Sequence, residues 1–441
     1  MTDSFFPSTQ KKFYGKQPCL ILLIPVLLMF FLASCQAQNP TSASTQSIPQ
    51  AASSTPVNTS STPTAVSPEA NTLVIWLPPQ FDPETNTPAA VLIQSRLNSF
   101  QKKYPQWTVV VRLKAVDGRG GLLDSLANTS MAAPEALPAL VALQSQDLES
   151  AALKGLLLPL DEKIESSAGN DRLPYAAQMG MVQGKNFGIP LAGDALVLVY
   201  HPLQSPYPPS SWQELSSQRK PVIFPAADPD SIVVTTIYQA AGGNLLNQNN
   251  PPVLEAAPLQ KSFAILNNGT QSGAFPIWIS QYSTFTDAWN AYAHQTSAYA
   301  IVWSSQYLHD QPVGSEMTTL PAFNSKQITL ARGWVWCIPA MNKQPQDAVT
   351  YLLEYFSDPD FINDLDQAAG FLPVNTSGLD AITDAQLNQT ITKITSSAQL
   401  LPTSSTINTI SPILENSTIQ IIKKQAYYQQ AVDQALNLFK K

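Results

Sequence analysis

Residues 184–200, GKNFGIPLAGDALVLVY, constrain the fold of this chain more than any other stretch. A turn at Gly184-Lys185-Asn186 leads into Phe187-Gly188-Ile189-Pro190, and Leu191-Ala192-Gly193 then breaks the run. After Asp194, Ala195 to Tyr200 form a near-continuous apolar strand of the kind buried on both faces. Taken alone, the stretch fits an ordinary strand pair with an aspartate in its turn. In the context of the flanking sequence it describes a crossing between two lobes, with Pro190 and Gly193 shaping the hinge and Asp194 where the lobes meet.

The first 34 residues are not part of the fold. Lys11, Lys12 and Lys16 precede an apolar run of 15 residues, Cys19 to Ala33. That is short for a membrane span and right for the apolar core of a signal peptide. From Gln36 to Asn71 the chain is Ser, Thr, Pro, Ala and Gln without apolar periodicity. Such a segment cannot bury enough surface to offset its chain entropy, and it reads as an extended tether. Roughly 370 residues remain, enough for two lobes.

Composition excludes several classes of function. The formal charge is −7 with no basic patch, against a nucleic-acid partner. Charged residues are only 12% of the chain, which suits an external protein that meets neutral polar ligands. The three histidines, His201, His294 and His309, are scattered, so no histidine-based metal site or catalytic triad is expected. Gly118-Arg119-Gly120-Gly121 lacks the Lys-Ser/Thr of a phosphate loop. Cys337 stands alone in an apolar run and reads as a buried thiol. No cofactor and no metal are expected.

After the tether, strands and helices alternate. Leu73–Leu77 is a strand, Pro88–Tyr104 a helix with Ala90, Ile93, Leu97 and Phe100 at helical spacing, and Trp107–Leu113 a second strand. A helix follows from Leu122, then a third strand, Ala139–Leu143, and a helix that ends at Lys154-Gly155. Alternation of this kind predicts a doubly wound α/β lobe on a mainly parallel sheet. Ligands gather beyond the carboxyl ends of such strands, which nominates Trp76, Gln80, Asp117, Gln144 and Ser145. Core packing fits Trp76 equally well, and a turn beside Gly118 fits Asp117 better.

Several segments then resemble, in order, the extracellular solute-binding proteins of bacterial ABC importers, in their maltose- and sugar-binding branch. They are Leu137–Val141 with Ala152–Asp161; Gly188–Tyr200; Pro208-Pro209-Ser210-Ser211-Trp212-Gln213-Glu214-Leu215; Ala240-Ala241-Gly242-Gly243; and 331–375, from Ala331-Arg332-Gly333 to Gly370-Phe371-Leu372-Pro373-Val374-Asn375. The likeness covers nearly all of 73–375. Ala139 departs from it, where relatives often carry Asp. Leu32-Ala33-Ser34-Cys35 resembles a bacterial lipobox, which implies cleavage before Cys35 and lipid on its thiol.

The resemblance implies a two-lobe periplasmic-binding-protein type II fold, each lobe a mainly parallel sheet flanked by helices. The lobes would be 72–192 with 319–369, and 193–318 with 370–441, behind a leader (1–34) and a lipidated tether (35–71). Pro321 and Gly370 would mark the return crossings. The implied function is capture of a small solute, favoured to be a sugar or oligosaccharide, and delivery to ABC permease subunits. The protein would be a monomer on the outer face of the bacterial cytoplasmic membrane.

By the same resemblance Asp194 would hold sugar hydroxyls, with Trp303 and Ser304 facing the ligand from the second lobe. Eight Trp and fourteen Tyr could supply flat faces for sugar rings. Trp334 and Trp336 are further candidates, although a strand faces its core first. A cation would need more carboxylates than the sequence places in the cleft, and Arg119 and Arg332 are weak candidates for an anion. Two alternatives are an exported carbohydrate-acting hydrolase using Asp117 and Asp194, and a sensor that shows its closed form to a receptor.

Overall fold

A computed structural model describes residues 71–160, 171–246, 251–294 and 297–440. The expected leader, Cys35, nearly all of the tether and Asp161 lie outside the described residues. Among those described, no helix is long and apolar enough to cross a membrane.

The strands are β1 (Thr72–Leu77), β2 (Thr108–Leu113), β3 (Leu140–Gln144), β4 (Met181–Val182), β5 (Lys185–Asn186), β6 (Ile189–Tyr200), β7 (Val222–Ile223), β8 (Tyr299–Trp303), β9 (Glu316–Thr318), β10 (Thr329–Cys337) and β11 (Ala398–Leu400). Nine of them join in the order β2-β1-β3-β10-β6-β8-β7, with β9 on β6 and β11 on β10, while β4 and β5 form a hairpin. β1 runs parallel to β2 and β3, and β10 lies antiparallel between β3 and β6. On the far side β6 is antiparallel to β8 and β9, and β7 parallel to β8. The sheets are therefore mixed rather than mainly parallel. Strand–helix alternation fixes the direction of β1–β3 only; the crossing strand β10 runs against them, and β6, antiparallel to β10, runs with them.

β6 is the hinge strand. Ile189 to Ala195 pair with β10, and Leu196 to Tyr200 pair with β8. All twelve residues are buried, as a strand covered on both faces requires. Beyond Asp194 alternate residues serve different cores. Leu196, Leu198 and Tyr200 pack with Trp212, Phe263 and the helices Ile232–Ala240, Ser404–Ile422 and Tyr428–Phe439. Val197 and Val199 pack under Trp289 and Tyr292, in a cluster continuous with β1, β3 and the helices Pro88–Lys103, Gln346–Phe356 and Pro359–Ala369. Sequence patterning assigns all of 370–441 to the second lobe, but the packing is divided. Leu372, Val374, Leu379, Ile391 and Ile394 join the cluster of β1 and β3, and only Ile407 onward joins the second.

Local chemistry sets the helix ends near the crossings. Thr87 accepts from the N–H of Ala90 and Pro88 opens that helix; Asp358 accepts from Phe361 before Pro359. The helix Pro359–Ala369 ends at Gly370, whose φ of 73° suits glycine. A Cβ at Gly370 would lie 2.8 Å from the backbone nitrogen of His309, so glycine also permits the close approach of the segment that opens with Ser304. At Gly193 the N–H donates to Leu372 O (3.1 Å), the carbonyl accepts from Leu372 N (2.8 Å), and the ring of Tyr175 closes over both. Pro321 lies elsewhere: its neighbours Leu320 and Phe323 are buried in the second cluster, and Ala322 pairs with Ser210–Trp212. The return crossing is β10 itself, where Leu330 packs in the second cluster and Ala331 in the first.

Gly193→Ala places a Cβ 2.0 Å from the hydroxyl of Tyr175. It should cost about 1–3 kcal/mol, read as a lower urea midpoint at unchanged slope. An unchanged midpoint would show that Tyr175 moves aside freely and that the contact does not hold the joint.

Candidate functional site

The site grows from Asp194, 2% exposed at the middle of β6. Its Oδ1 accepts from Ser304 Oγ (2.9 Å) and Ser305 N (3.0 Å), and its Oδ2 from Ser305 Oγ (2.9 Å). Arg332, its cross-strand partner on β10, donates Nε (3.4 Å) and Nη2 (3.3 Å) to Oδ2. A carboxylate has about four acceptor positions, and here they are filled by protein donors from two chain segments. Ser304 also accepts from Ala195 N (3.2 Å) and is fully buried. Expected in a loop, Ser304 and Ser305 instead open the helix Ser304–Asp310, where Gln306 reaches back to accept from Trp303 N (3.1 Å).

Arg332 is the residue that sequence reasoning undervalued. Its guanidinium lies over the ring of Trp303 at 4.0 Å while two of its nitrogens hold Asp194. Its side chain remains 35% exposed, against 3% for Asp194, so it carries the buried charge out to the cleft. Nothing in its immediate sequence marks that role. The signal lies in pairing β10 against β6, which sets Arg332 opposite Asp194.

A cavity of 260 Å³ opens on this group, lined by Gln80, Val116, Asp117, Gln144, Asp194, Ser305, Arg332, Gly333, Trp334 and Phe371. Five expected residues thus converge: Gln80, Asp117, Gln144, Asp194 and Trp334. A second cavity of 420 Å³ shares Gln80, Ser305 and Phe371 and continues past Thr87, Trp289, Gln306 and His309. Each is at or near the lower end for small-molecule sites (about 300–1,000 Å³), and the shared walls make them one extended cleft. Its aromatic wall is Trp334, edge-on to Phe81 at 6.0 Å, with Phe371 5.6 Å from the same ring.

The other expected residues are placed differently. Trp303 is 3% exposed and meets the cleft through Arg332. Ser145 joins β3 to β10, giving its N–H to Gly333 O (2.9 Å) and accepting from Gly333 N (3.2 Å). Trp76 is enclosed, with the ammonium of Lys114 4.9 Å above its ring. Trp336 packs edge-on against Phe356 at 6.0 Å, two residues deeper in the sheet than Trp334. Of Trp334 and Trp336, the one level with the carboxyl end of β3, opposite Gln144, lines the cavity. Cys337 is fully buried and its burial pushes the thiol up.

Three aspartates, Asp117, Asp230 and Asp147, influence one another electrostatically, and of these Asp117 lines the cavity. Burial raises Asp117, with Arg332 opposing. Asp230, before the helix Ile232–Ala240, is raised by burial and then by the charge of Asp117, again opposed by Arg332. Asp147 is pushed up to about 6 by burial and then by Asp117, against a hydrogen bond from Ser404 (3.2 Å) and the charge of Lys154. Among the described residues no group of His, Cys, Asp and Glu could hold a metal ion.

The chain belongs to the bacterial extracellular solute-binding proteins, whose family model matches residues 96–390. No curated protein matches the sequence. Among solved structures it is similar to the GacH receptor of Streptomyces glaucescens, described unliganded and with acarbose (17% identity, TM-score 0.67, 84% of this chain and 97% of that one). It is similar to maltose-bound MalE3 of T. maritima (15% identity, TM-score 0.65, 84% and 99%). A third is an ABC transporter solute-binding protein of Thermotoga lettingae bound with α-D-tagatose (20% identity, TM-score 0.64, 84% and 99%). The fold is that of the maltose-binding type of periplasmic binding protein, and the family is one of exported binding proteins.

Two variants test this site. Asp194→Ala leaves Arg332 and two serines without their acceptor and should cost on the order of 3 kcal/mol in urea unfolding; a loss below about 0.5 kcal/mol would mean that the carboxylate is dispensable. For Asp147 the folded-state value lies above the ordinary one, so its carboxylate destabilises the fold as pH rises through about 6 and has no effect below about 4. Asp147→Asn should therefore stabilise the protein by roughly 2 kcal/mol at pH 7.5 and by nothing at pH 3.5. A gain that does not vary with pH would contradict this.

Proposed function

We propose that this chain is a lipid-anchored solute-binding protein that closes its lobes on a sugar or oligosaccharide and delivers it to the permease of an ABC importer. The observation that carries the ligand class is the composition of the cleft. An aromatic wall at Trp334 and Phe371 faces Gln80, Asp117, Gln144 and Arg332, all able to hydrogen-bond hydroxyls. Sugars need that combination, an apolar face for the C–H surface of the ring and directed polar groups for its hydroxyls. The solved structures of similar fold hold maltose, tagatose and acarbose, which agrees with this reading. The length of the two joined cavities favours an oligosaccharide over a single ring.

Closure follows from contacts made by both lobes at once, because a ligand shifts the open–closed balance only by its differential affinity. Gln80, Asp117, Gln144 and Trp334 would supply the first lobe's contacts, and Ser305 with Gln306 the second's. Asp194 would act through Arg332: it holds the guanidinium, and the guanidinium meets the ligand. The same saturation speaks against a hydrolase, since a carboxylate whose acceptor positions are all filled cannot serve as nucleophile or general acid.

The ligand test is a thermal-shift screen of the purified full-length protein in detergent, against mono- and oligosaccharides, amino acids and inorganic phosphate. A sugar at a hundredfold its dissociation constant adds about 2.7 kcal/mol of stability, and Arg332→Ala or Trp334→Ala should abolish most of that shift. A shift with phosphate or an amino acid and none with sugars would overturn the ligand class. Separately, Cys35→Ser should move the protein from the membrane fraction to the soluble or uncleaved form; unchanged membrane retention of a processed chain would overturn the anchor.

A further inference from the structure

Three cavities meet at Phe371. It lines the 260 Å³ chamber that holds Trp334, the 420 Å³ chamber beside it, and a third cavity of 190 Å³ between the helices Pro359–Ala369 and Ala385–Ser397. It is the one residue common to all three. The two chambers of the cleft share only Gln80, Ser305 and Phe371, which therefore form the neck between them. These three residues do not yield equally. Ser305 is pinned by Asp194 through its N–H (3.0 Å) and its hydroxyl (2.9 Å). Gln80 is exposed and can turn into water. The backbone of Phe371 is fixed, its N–H donating to Asp366 O (2.8 Å) and Leu372 beside it pairing both ways with Gly193. Only its side chain is left to move.

The third cavity offers that side chain a second position. Its lining includes Leu308, Pro373, Ile382, Leu387 and Ile391, apolar groups beside which an aromatic ring can pack. In place, the ring makes one aromatic contact, tilted against Phe81 with 5.6 Å between centroids, and Phe81 in turn meets Trp334 edge-on at 6.0 Å. Turning the ring exchanges that contact for the lining of the third cavity. The chamber at Trp334 is smaller than most small-molecule sites (about 300–1,000 Å³), so a ligand of more than one ring must pass the neck to reach the larger one.

We propose that Phe371 is a specificity-determining residue that sets the length of the captured ligand. Its ring partitions the cleft into a subsite for one sugar ring at Trp334 and a second subsite beyond the neck, and a longer ligand is admitted when the ring turns toward the third cavity. This rests on the sugar reading and adds to it which residue selects between mono- and oligosaccharides. The helix that ends at Gly370 places the partition at the crossing, one residue from the backbone pairing with Gly193.

The test is calorimetric titration of the purified full-length protein with glucose, maltose and maltotriose, and with cellobiose and cellotriose as a second linkage. The quantity read is the ratio of oligosaccharide to glucose affinity. Phe371→Ala should raise it by about tenfold, the scale on which an obstructed packing site is relieved. Leu387→Trp, which fills the third cavity from outside the cleft, should lower it by a similar factor while glucose affinity stays the same. Retained glucose binding shows that this variant is folded, and Ile382→Phe in the same lining replaces it if it is not. A ratio unchanged or lowered in Phe371→Ala would overturn the partition and leave the sugar reading standing. A ratio raised by Phe371→Ala but unmoved by filling the third cavity would keep Phe371 as the determinant and overturn the turning of its ring. Silence from every sugar would overturn the sugar reading and this inference with it.

Discussion

One buried carboxylate organises the middle of this molecule. Asp194 sits where β6 leaves one half of the sheet and enters the other, and a charge there would be costly if it stood alone. It is stabilised by donors from the second lobe, Ser304 and Ser305, and by Arg332 on the strand that returns to the first. β6, β10 and the start of the helix Ser304–Asp310 are thereby tied to the same pair of oxygen atoms. The cleft is the surface that this arrangement leaves open, and its most prominent polar group, Arg332, owes its position to Asp194 and to the face of Trp303.

The crossing also shows where movement can occur. β6 has no break in its pairing large enough to separate the lobes, and its register shift against β10 falls at Trp334/Val335, beside the cleft. Small residues mark the points where a third segment crosses: Gly193 admits the backbone of Leu372 and the ring of Tyr175, and Gly370 admits the backbone of His309. Hinges turn by small backbone changes at a few such close contacts. Ser404 adds a polar contact between the two clusters, bonding Gln146 O and the carboxylate of Asp147.

Much of this was legible in the sequence, because the signals involved are local. Apolar continuity identified β1, β3 and β6, helical spacing identified the helix that starts at Pro88, and the carboxyl-end rule nominated Gln80, Asp117 and Gln144, which line the cavity. What was not legible depends on pairing between distant strands. Arg332 could not be matched to Asp194 without the register of β10 on β6, and Trp336 could not be separated from Trp334 without knowing which level of the sheet meets the cleft. The same limit hid the influence of Asp117 on Asp147 and Asp230, which lie far from it in the sequence. Pro321 is a related case: proline marks a turn, but which core its neighbours join, here the second cluster, is a tertiary property.

The central claim is that one cleft, walled by both lobes around Asp194 and Arg332, takes the solute. Amide hydrogen exchange, measured with and without a bound sugar, tests it most directly, since closure slows local opening wherever the ligand and the opposing lobe add contacts. The account predicts slower exchange at 116–118, 144–145 and 332–334 together with 303–306. Protection confined to one side, or centred on the helices between 359 and 397, would contradict it.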